Sequence, residues 1–543
     1  MLHLIYFLVF NFVLFLIGRS FCILIYKFFV NKEFKDENKI FTIPIYYFYS
    51  LLGLFFIGNV SVVFNFFSKN NSVFLKIFFF IFLLVNISKN VKINFSIINF
   101  INFFGIPSIV AISSIKIGLA YDAGLYHLNS QLWIRESNIP VGLYNLHFRY
   151  GFSSIIDYIS SNFWIGDKLE ILHFVNLVFI ASFLSFILFN LISNQNPLLL
   201  MSSLAIVLFG ILDNFGSGGG RNGFIDIESI TKQDTPFAIV FYITNILIFL
   251  SIKNKEMSKL EILLLSFLIL FGIQLRIFGA VTLLLLIYTI IFIKNFQYKV
   301  LIPATMLGII WSLKNLLITG CFLFPVNITC IERLSWHEVG SARREMLELK
   351  SFHIGYELGL PLNDWFYSWL EKPVNTNVII NFTFSFMFIL LVFIVFTKKT
   401  SRVFDLTSRV YITFYIFVII YLWMSTSPGI RLGIGIFLLL IGIVGLNFET
   451  FRFKNKNLKF MLALLFFIST LLIPKLDNYI ELLKNPTIYN KLSAPLIEYT
   501  EKEGFGVLPK NGSQCWINIE CVQSDKKIIL SENSFYKTFS IRN

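Results

Sequence analysis

Charge is what this chain has least of. Only 14% of its 543 residues are Asp, Glu, Lys or Arg, against 56% that are apolar, and its mean hydropathy is +0.74. A soluble enzyme or binding module is excluded, because many apolar runs reach the roughly 20 residues that cross a bilayer. The runs also lack the polar–apolar alternation of barrel strands, so they read as helices that satisfy their own backbone groups. The net charge of +14 does not point to nucleic acid, since most Lys and Arg residues fall in short connections between runs, where they act as a topology signal. The opening run MLHLIYFLVFNFVLFLIG lacks a basic leader and a small-residue cleavage site, which predicts a retained span. No fixed repeat of 20 to 50 residues is visible.

Cysteine is scarce as well. Cys321 and Cys330 lie close in sequence, as do Cys515 and Cys521, while Cys22 stands alone. CFLFPVNITC and CWINIEC lack histidines at zinc-ligand spacing, so two disulfides are the favoured reading, with free thiols as the alternative.

What is abundant is span-like sequence. Hydropathy gives about fourteen candidate spans, near 2–18, 44–66, 73–88, 102–120, 171–193, 197–213, 236–252, 260–276, 278–293, 300–319, 376–397, 409–425, 431–448 and 459–474. Basic connections carrying Lys32, Lys35, Lys89, Lys92, Lys253, Lys255, Lys294, Lys398, Lys399, Arg452, Lys454 and Lys456 then share one side, which the positive-inside rule makes cytoplasmic. Lys76 dissents. The opposite side receives segments 121–170, 214–235 and 320–375 and a tail, 476–543, beyond a membrane domain of 1–475. Both cysteine pairs fall there, in keeping with an oxidising compartment.

Polar chemistry concentrates in YDAGLYHLNSQLWIRESNIPVGLYNLHFRY, residues 121–150. Leu125, Leu128 and Leu132 repeat at helical spacing and predict a short helix lying in the membrane interface, apolar face down. Asp122 follows a span directly; it is either a base for an attacking hydroxyl or the cap of the next helix. His127, His147 and Arg149 add donors, and an Arg fork suits phosphate oxygens. Asp226, Glu228 and Asp234 are candidates for a second carboxylate or for divalent-cation ligands. The glycines of GSGGGRNG are not a phosphate loop, since no Gly-Lys-Ser/Thr follows. Arg276 and Arg431 sit at predicted outer span ends, against the charge bias, and Lys314 lies inside WSLKNLL; charges at such depth are site candidates, with snorkelling as the ordinary alternative. Trp336, Trp365, Tyr367 and Trp369 are suited to stacking on sugars or to an interfacial aromatic belt.

A bundle with long outer loops and an acid directly after a span in the first large loop resembles the GT-C fold glycosyltransferases. DAGLYHL, GLYNLHFRYGF, SPGIR and CWINIEC also look like an uncharacterised family of bacterial polytopic membrane proteins linked with surface-polysaccharide genes. The resemblance implies an all-α polytopic bundle of about 12–14 transmembrane helices with GT-C-like outer loops, in the bacterial inner membrane with its active face periplasmic or extracellular. It implies transfer of a sugar from a polyprenyl-phosphate donor to a glycan, lipid or protein, with Asp122 as base and Arg149, Arg276 and Arg431 as the matching types for the donor phosphate. Asp122 is followed by Ala123, not by a second acid, which leaves metal dependence open. A transporter or flippase of lipid-linked glycans, or a polysaccharide polymerase or ligase, is the rival reading. Transporter sites gather near the midplane of repeated halves; no such halves are evident here.

Overall fold

The computed structural model describes residues 2–541 except 31–33, 87–95, 166, 167, 195, 213–231, 294, 295, 355–361, 397–403, 449–455, 488–491, 525, 534 and 535. Lys32, Lys89, Lys92, Lys294, Lys398, Lys399, Arg452, Lys454, Asp226 and Glu228 lie outside the described residues. The protein is an all-α polytopic membrane bundle with extramembrane helices and a tail. Among the described residues, seven helices are long and apolar enough to cross a bilayer: Leu2–Phe29, Ile45–Asn65, Phe174–Ile192, Asp234–Asn254, Tyr298–Thr319, Pro373–Phe396 and Leu406–Thr426. An eighth crossing results if Lys456–Leu472 and Leu476–Lys484, bent by 77°, form one broken span.

The other expected segments contain helices too, namely Val73–Leu84, Ile97–Ser113, Pro197–Leu212, Ile277–Phe292, Ile430–Leu446 and Lys259–Leu275. The longest of them have 17 residues, about 26 Å at 1.5 Å per residue, the lower end of the lengths that cross a bilayer. Apolar residues continue where some of these helices stop, as Ile115, Ile117 and Leu119 do beyond Ser113.

Asp234–Asn254 forms the centre of the bundle, buried along its whole best window, whereas Pro373–Phe396 is only 17% buried and faces outward. The first two spans cross in close contact: a Cβ at Gly18 would lie 1.8 Å from the Tyr49 carbonyl oxygen, and one at Gly53 would lie 2.2 Å from that of Leu14. Small residues let backbones approach this closely where no hydrophobic effect drives helices together. Some polar groups in this interior are paired. Arg19 holds Asp36 through Nε and Nη2 at 2.7 and 2.9 Å, and Asn59 and Gln274 exchange amide hydrogen bonds.

At one end of the bundle the loops build a cap. Leu128–Glu136, Ile155–Ser160, Ser341–Ile354 and two tail hairpins, Tyr499–Glu501 with Val507–Pro509 and Ile528–Glu532 with Lys537–Ile541, gather there. The Val141 amide donates to the Lys537 carbonyl at 2.9 Å, and that of Phe539 donates to Val141 at 2.8 Å. The Leu128–Glu136 helix is therefore not an interfacial helix resting on lipid: Leu128, Asn129, Gln131 and Trp133 are all buried, because the tail covers the face that water or headgroups would otherwise meet.

Candidate functional site

The site begins where the chain leaves the short helix ending at Ser113 and enters the cap. Ala123–His127 is wound as a π-helix, a form that recurs at functional sites because it displaces side chains from the regular helical stripe. Asp122 precedes it and makes no cap hydrogen bond. Its carboxylate instead accepts from Lys232 Nζ at 2.7 Å. Partial burial would raise the Asp122 carboxyl, but the Lys232 hydrogen bond and charge, with help from His127 and Arg431, hold it below the usual carboxylate range. Lys232 is brought there by the Phe174–Ile192 helix, whose Asn176 amide donates to its carbonyl at 2.9 Å.

Three helix ends meet beside this pair. Asp234 opens the central span, Arg276 follows the last residue of Lys259–Leu275, and Arg431 lies in the first turn of Ile430–Leu446. Arg276 pairs with Oδ1 of Asp234, and Arg431 Nε lies 3.9 Å from Oδ2. Asp234 forms the floor, with 4% of its side chain exposed, and Arg431 the mouth, with 45% exposed. Arg431 is also among the charges acting on Asp122, so Asp122, Lys232, Asp234, Arg276 and Arg431 belong to one electrostatic cluster.

A second chain of charge runs inward from His127. Its Nδ1 lies 3.5 Å from Asp157 Oδ1, and both side chains are buried. Lys314, fully buried in the Tyr298–Thr319 span, donates to Ser153 Oγ at 2.6 Å and sits 3.5 Å above the Trp311 ring. His147 and Arg149 form the adjoining wall. His147 Nδ1 accepts from the Arg149 amide at 2.9 Å, and burial pushes this imidazole down to about 4, so it is neutral near pH 7. Arg149 lies over the Phe148 and Phe152 rings at 4.8 and 5.8 Å; both Arg149 and Asp122 act on the buried Tyr126 phenol. Behind them, Tyr144 donates to Glu345 Oε1 at 3.1 Å, and burial pushes the Glu345 carboxyl up to about 7.

The tail closes over the first loop. Trp516 donates its amide to the Gly124 carbonyl at 2.8 Å, and a Cβ on Gly124 would lie 2.7 Å from its indole. Trp516 has φ +50°, an unusual conformation for a bulky residue, inside the loop closed by the Cys515–Cys521 disulfide. Cys321 and Cys330 are also joined. The fold brings His337 to that second pair, with ligand atoms within 4.8 Å, a proximity that sequence spacing did not reveal. Both sulfurs there are already bonded to each other, so the group is no thiolate metal centre. Asp234 is likewise an arginine partner here and not a cation ligand, since two guanidinium groups repel a cation.

Trp365 and Trp369 are buried, and Trp369 donates to the Pro428 carbonyl at 2.7 Å. They anchor the cap and offer no face to a sugar. Trp336 Nε1 similarly donates to the Leu316 carbonyl at 3.1 Å. A groove of about 480 Å³ lies between Leu132, Glu136 and tail residues including Leu496 and Ile519; no residue of the charged cluster lines it. Asp157 and Lys232 were missed from sequence. Asp157 could have been noticed as an isolated acid in the apolar run IIDYI.

A family model described as Domain of unknown function (DUF8201) matches residues 1–438. The chain belongs to the DUF8201 family. No curated protein and no solved structure matches it. The region shared with DUF8201 contains every member of the charged cluster and ends before the hairpins that cover the first loop.

Proposed function

We propose that this DUF8201 protein is a membrane glycosyltransferase that moves a sugar from a polyprenyl-phosphate donor to a glycan, lipid or protein acceptor on the non-cytoplasmic face of a bacterial inner membrane. The observation that carries the reading is the meeting of Asp234, Arg276 and Arg431 at the ends of three helices next to Asp122. Two of those ends are N-termini, at Asp234 and Ile430, where unpaired amides favour an anion. A lipid-linked phosphate arriving from the bilayer meets Arg431 first and then Lys232.

The phosphate draws Lys232 away from Asp122, leaving the carboxylate a stronger base. The acceptor hydroxyl gives its proton to Asp122, its oxygen bonds to the anomeric carbon, and the bond from that carbon to the phosphate oxygen breaks with its electron pair leaving on the phosphate. Arg276 and Arg431 stabilise this growing charge more in the transition state than in the ground state, which is what accelerates the step. His127, with Asp157 behind it, carries a donor on the same wall.

The test supplies the purified full chain in nanodiscs with polyprenyl-phosphate hexoses radiolabelled in the sugar, alongside an extract of envelope glycans as acceptor. Label should leave the lipid fraction with the wild type and fail to do so with Asp122→Asn. Passage of intact labelled donor across sealed vesicles without cleavage would instead support the transporter reading.

A further inference from the structure

The chain turns sharply after its last apolar helix, and the turned segment has an exposed apolar face. Lys456–Leu472 runs into Leu476–Lys484 across a 77° bend at Pro474, a residue that cannot continue a helix. The first of these helices exposes Phe460, Met461, Leu464, Leu465 and Leu472, as a lipid-facing helix does. A neighbour set nearly at right angles to such a helix runs along the bilayer and not through it.

The nine residues of Leu476–Lys484 divide into two faces. Leu476, Ile480 and Leu483, spaced i, i+4 and i+7, are 47%, 40% and 83% exposed. On the other side, Asn478 donates to the Ser113 carbonyl at 2.8 Å and Tyr479 donates to that of Ile109 at 3.2 Å, fastening the helix across the end of Ile106–Ser113. Glu481 pairs with Lys116 at 3.0 Å along one edge. The stripe thus points away from the protein, and it continues the exposed apolar surface of the preceding helix through Leu472 and Ile473.

We infer that Leu476–Lys484 is an interfacial helix that rests on the membrane, with Leu476, Ile480 and Leu483 in the headgroup and acyl boundary. The chemistry selects a phospholipid surface as the partner. A strongly amphipathic helix with charged residues on its other face is stable at that depth, and Lys475 and Lys484 can hold their charges at headgroup level. Deeper insertion as a re-entrant hairpin is disfavoured, since it would draw Asp477, Glu481 and Lys484 into hydrocarbon. This inference does not depend on the sugar-transfer reading.

The test uses the full chain in lipid nanodiscs, with single substitutions Leu476→Cys, Ile480→Cys, Leu483→Cys, Asp477→Cys and Lys484→Cys, each labelled with a bimane fluorophore. All five positions are exposed, so the substitutions leave the packing intact. Native Cys22 is buried and the other cysteines are joined, and labelling of the unsubstituted chain checks that they stay silent. Lipids spin-labelled near the headgroup should quench the three stripe positions roughly twofold or more above Asp477 and Lys484, and deep spin labels should quench less. Equally weak quenching at all five positions would overturn the inference by placing the stripe in water or under a protein partner. Stronger quenching by deep labels at all five would overturn it in favour of a re-entrant segment.

Discussion

Asp234 is almost fully enclosed and yet ionically held from two sides, by Arg276 and more distantly by Arg431. Removing one partner of such a pair strands a buried charge, at a cost of about 3–5 kcal/mol. Arg276→Gln should therefore lower the thermal unfolding midpoint of the purified protein, and Arg276→Lys should recover little, since an ammonium cannot reproduce the planar fork; an unchanged midpoint would show that the pair contributes nothing. Glu345 gives a pH-dependent case. Its folded carboxyl is raised to about 7 from an ordinary 4.5, so the folded state holds the proton more tightly and stability falls as pH rises through that window. His147, lowered to about 4 from 6.5, contributes the opposite slope across nearly the same range. The two oppose each other in the wild type. Glu345→Gln should be more stable than wild type at pH 8 by roughly 3 kcal/mol, equal to it near pH 4, and should uncover a rise in stability from about pH 4 to 6.5 owing to His147. Melting curves across that range check both limbs. Asp122, Arg276 and Arg431 were legible in the sequence because a lone charge at the edge of an apolar run stands out. Lys232 and Asp157 were not, since their significance rests on partners 110 and 30 positions away in sequence.

The loop bearing Asp122 is shaped by the element packed over it. Gly124 has no room for a side chain beneath Trp516, and Trp516 is held by a short disulfide loop in a backbone conformation it would not choose alone. Gly124→Ala should push the indole aside at a cost of about 1–3 kcal/mol. Hydrogen exchange should then speed up together in residues 123–136 and 515–522, while the central span Asp234–Asn254 stays protected. Faster exchange in the tail alone would mean that the tail covers the loop without ordering it. The helix at 128–136 was visible from its leucine spacing, but its environment was not. Periodicity reports which face is apolar, and either lipid or a protein surface can cover such a face. The tail hairpins escaped the sequence reading for a related reason, since strands of three and five residues carry too little alternation to register.

At the level of the whole molecule, composition alone established a polytopic helical bundle. Helix ends did not follow from composition, because hydropathy measures the length of apolar sequence and not the length of helix. Among the described residues seven helices have clear membrane-spanning length, and the span that begins at Asp234 is the buried centre of the bundle. That arrangement gathers Asp234, Arg276 and Arg431 at the ends of three helices, and on the proposed reading the arginines receive a lipid phosphate. Binding of undecaprenyl phosphate, compared with undecaprenol, to the full chain by native mass spectrometry tests this most directly. Arg431→Gln is the informative variant, since Arg431 is half-exposed and only loosely tied to Asp234. We expect the phosphate to bind about tenfold or more tightly than the alcohol, a difference of about 1.4 kcal/mol, and the preference to disappear in Arg431→Gln. Equal affinity for the two lipids, or a phosphate preference that survives the loss of Arg431, would contradict the account.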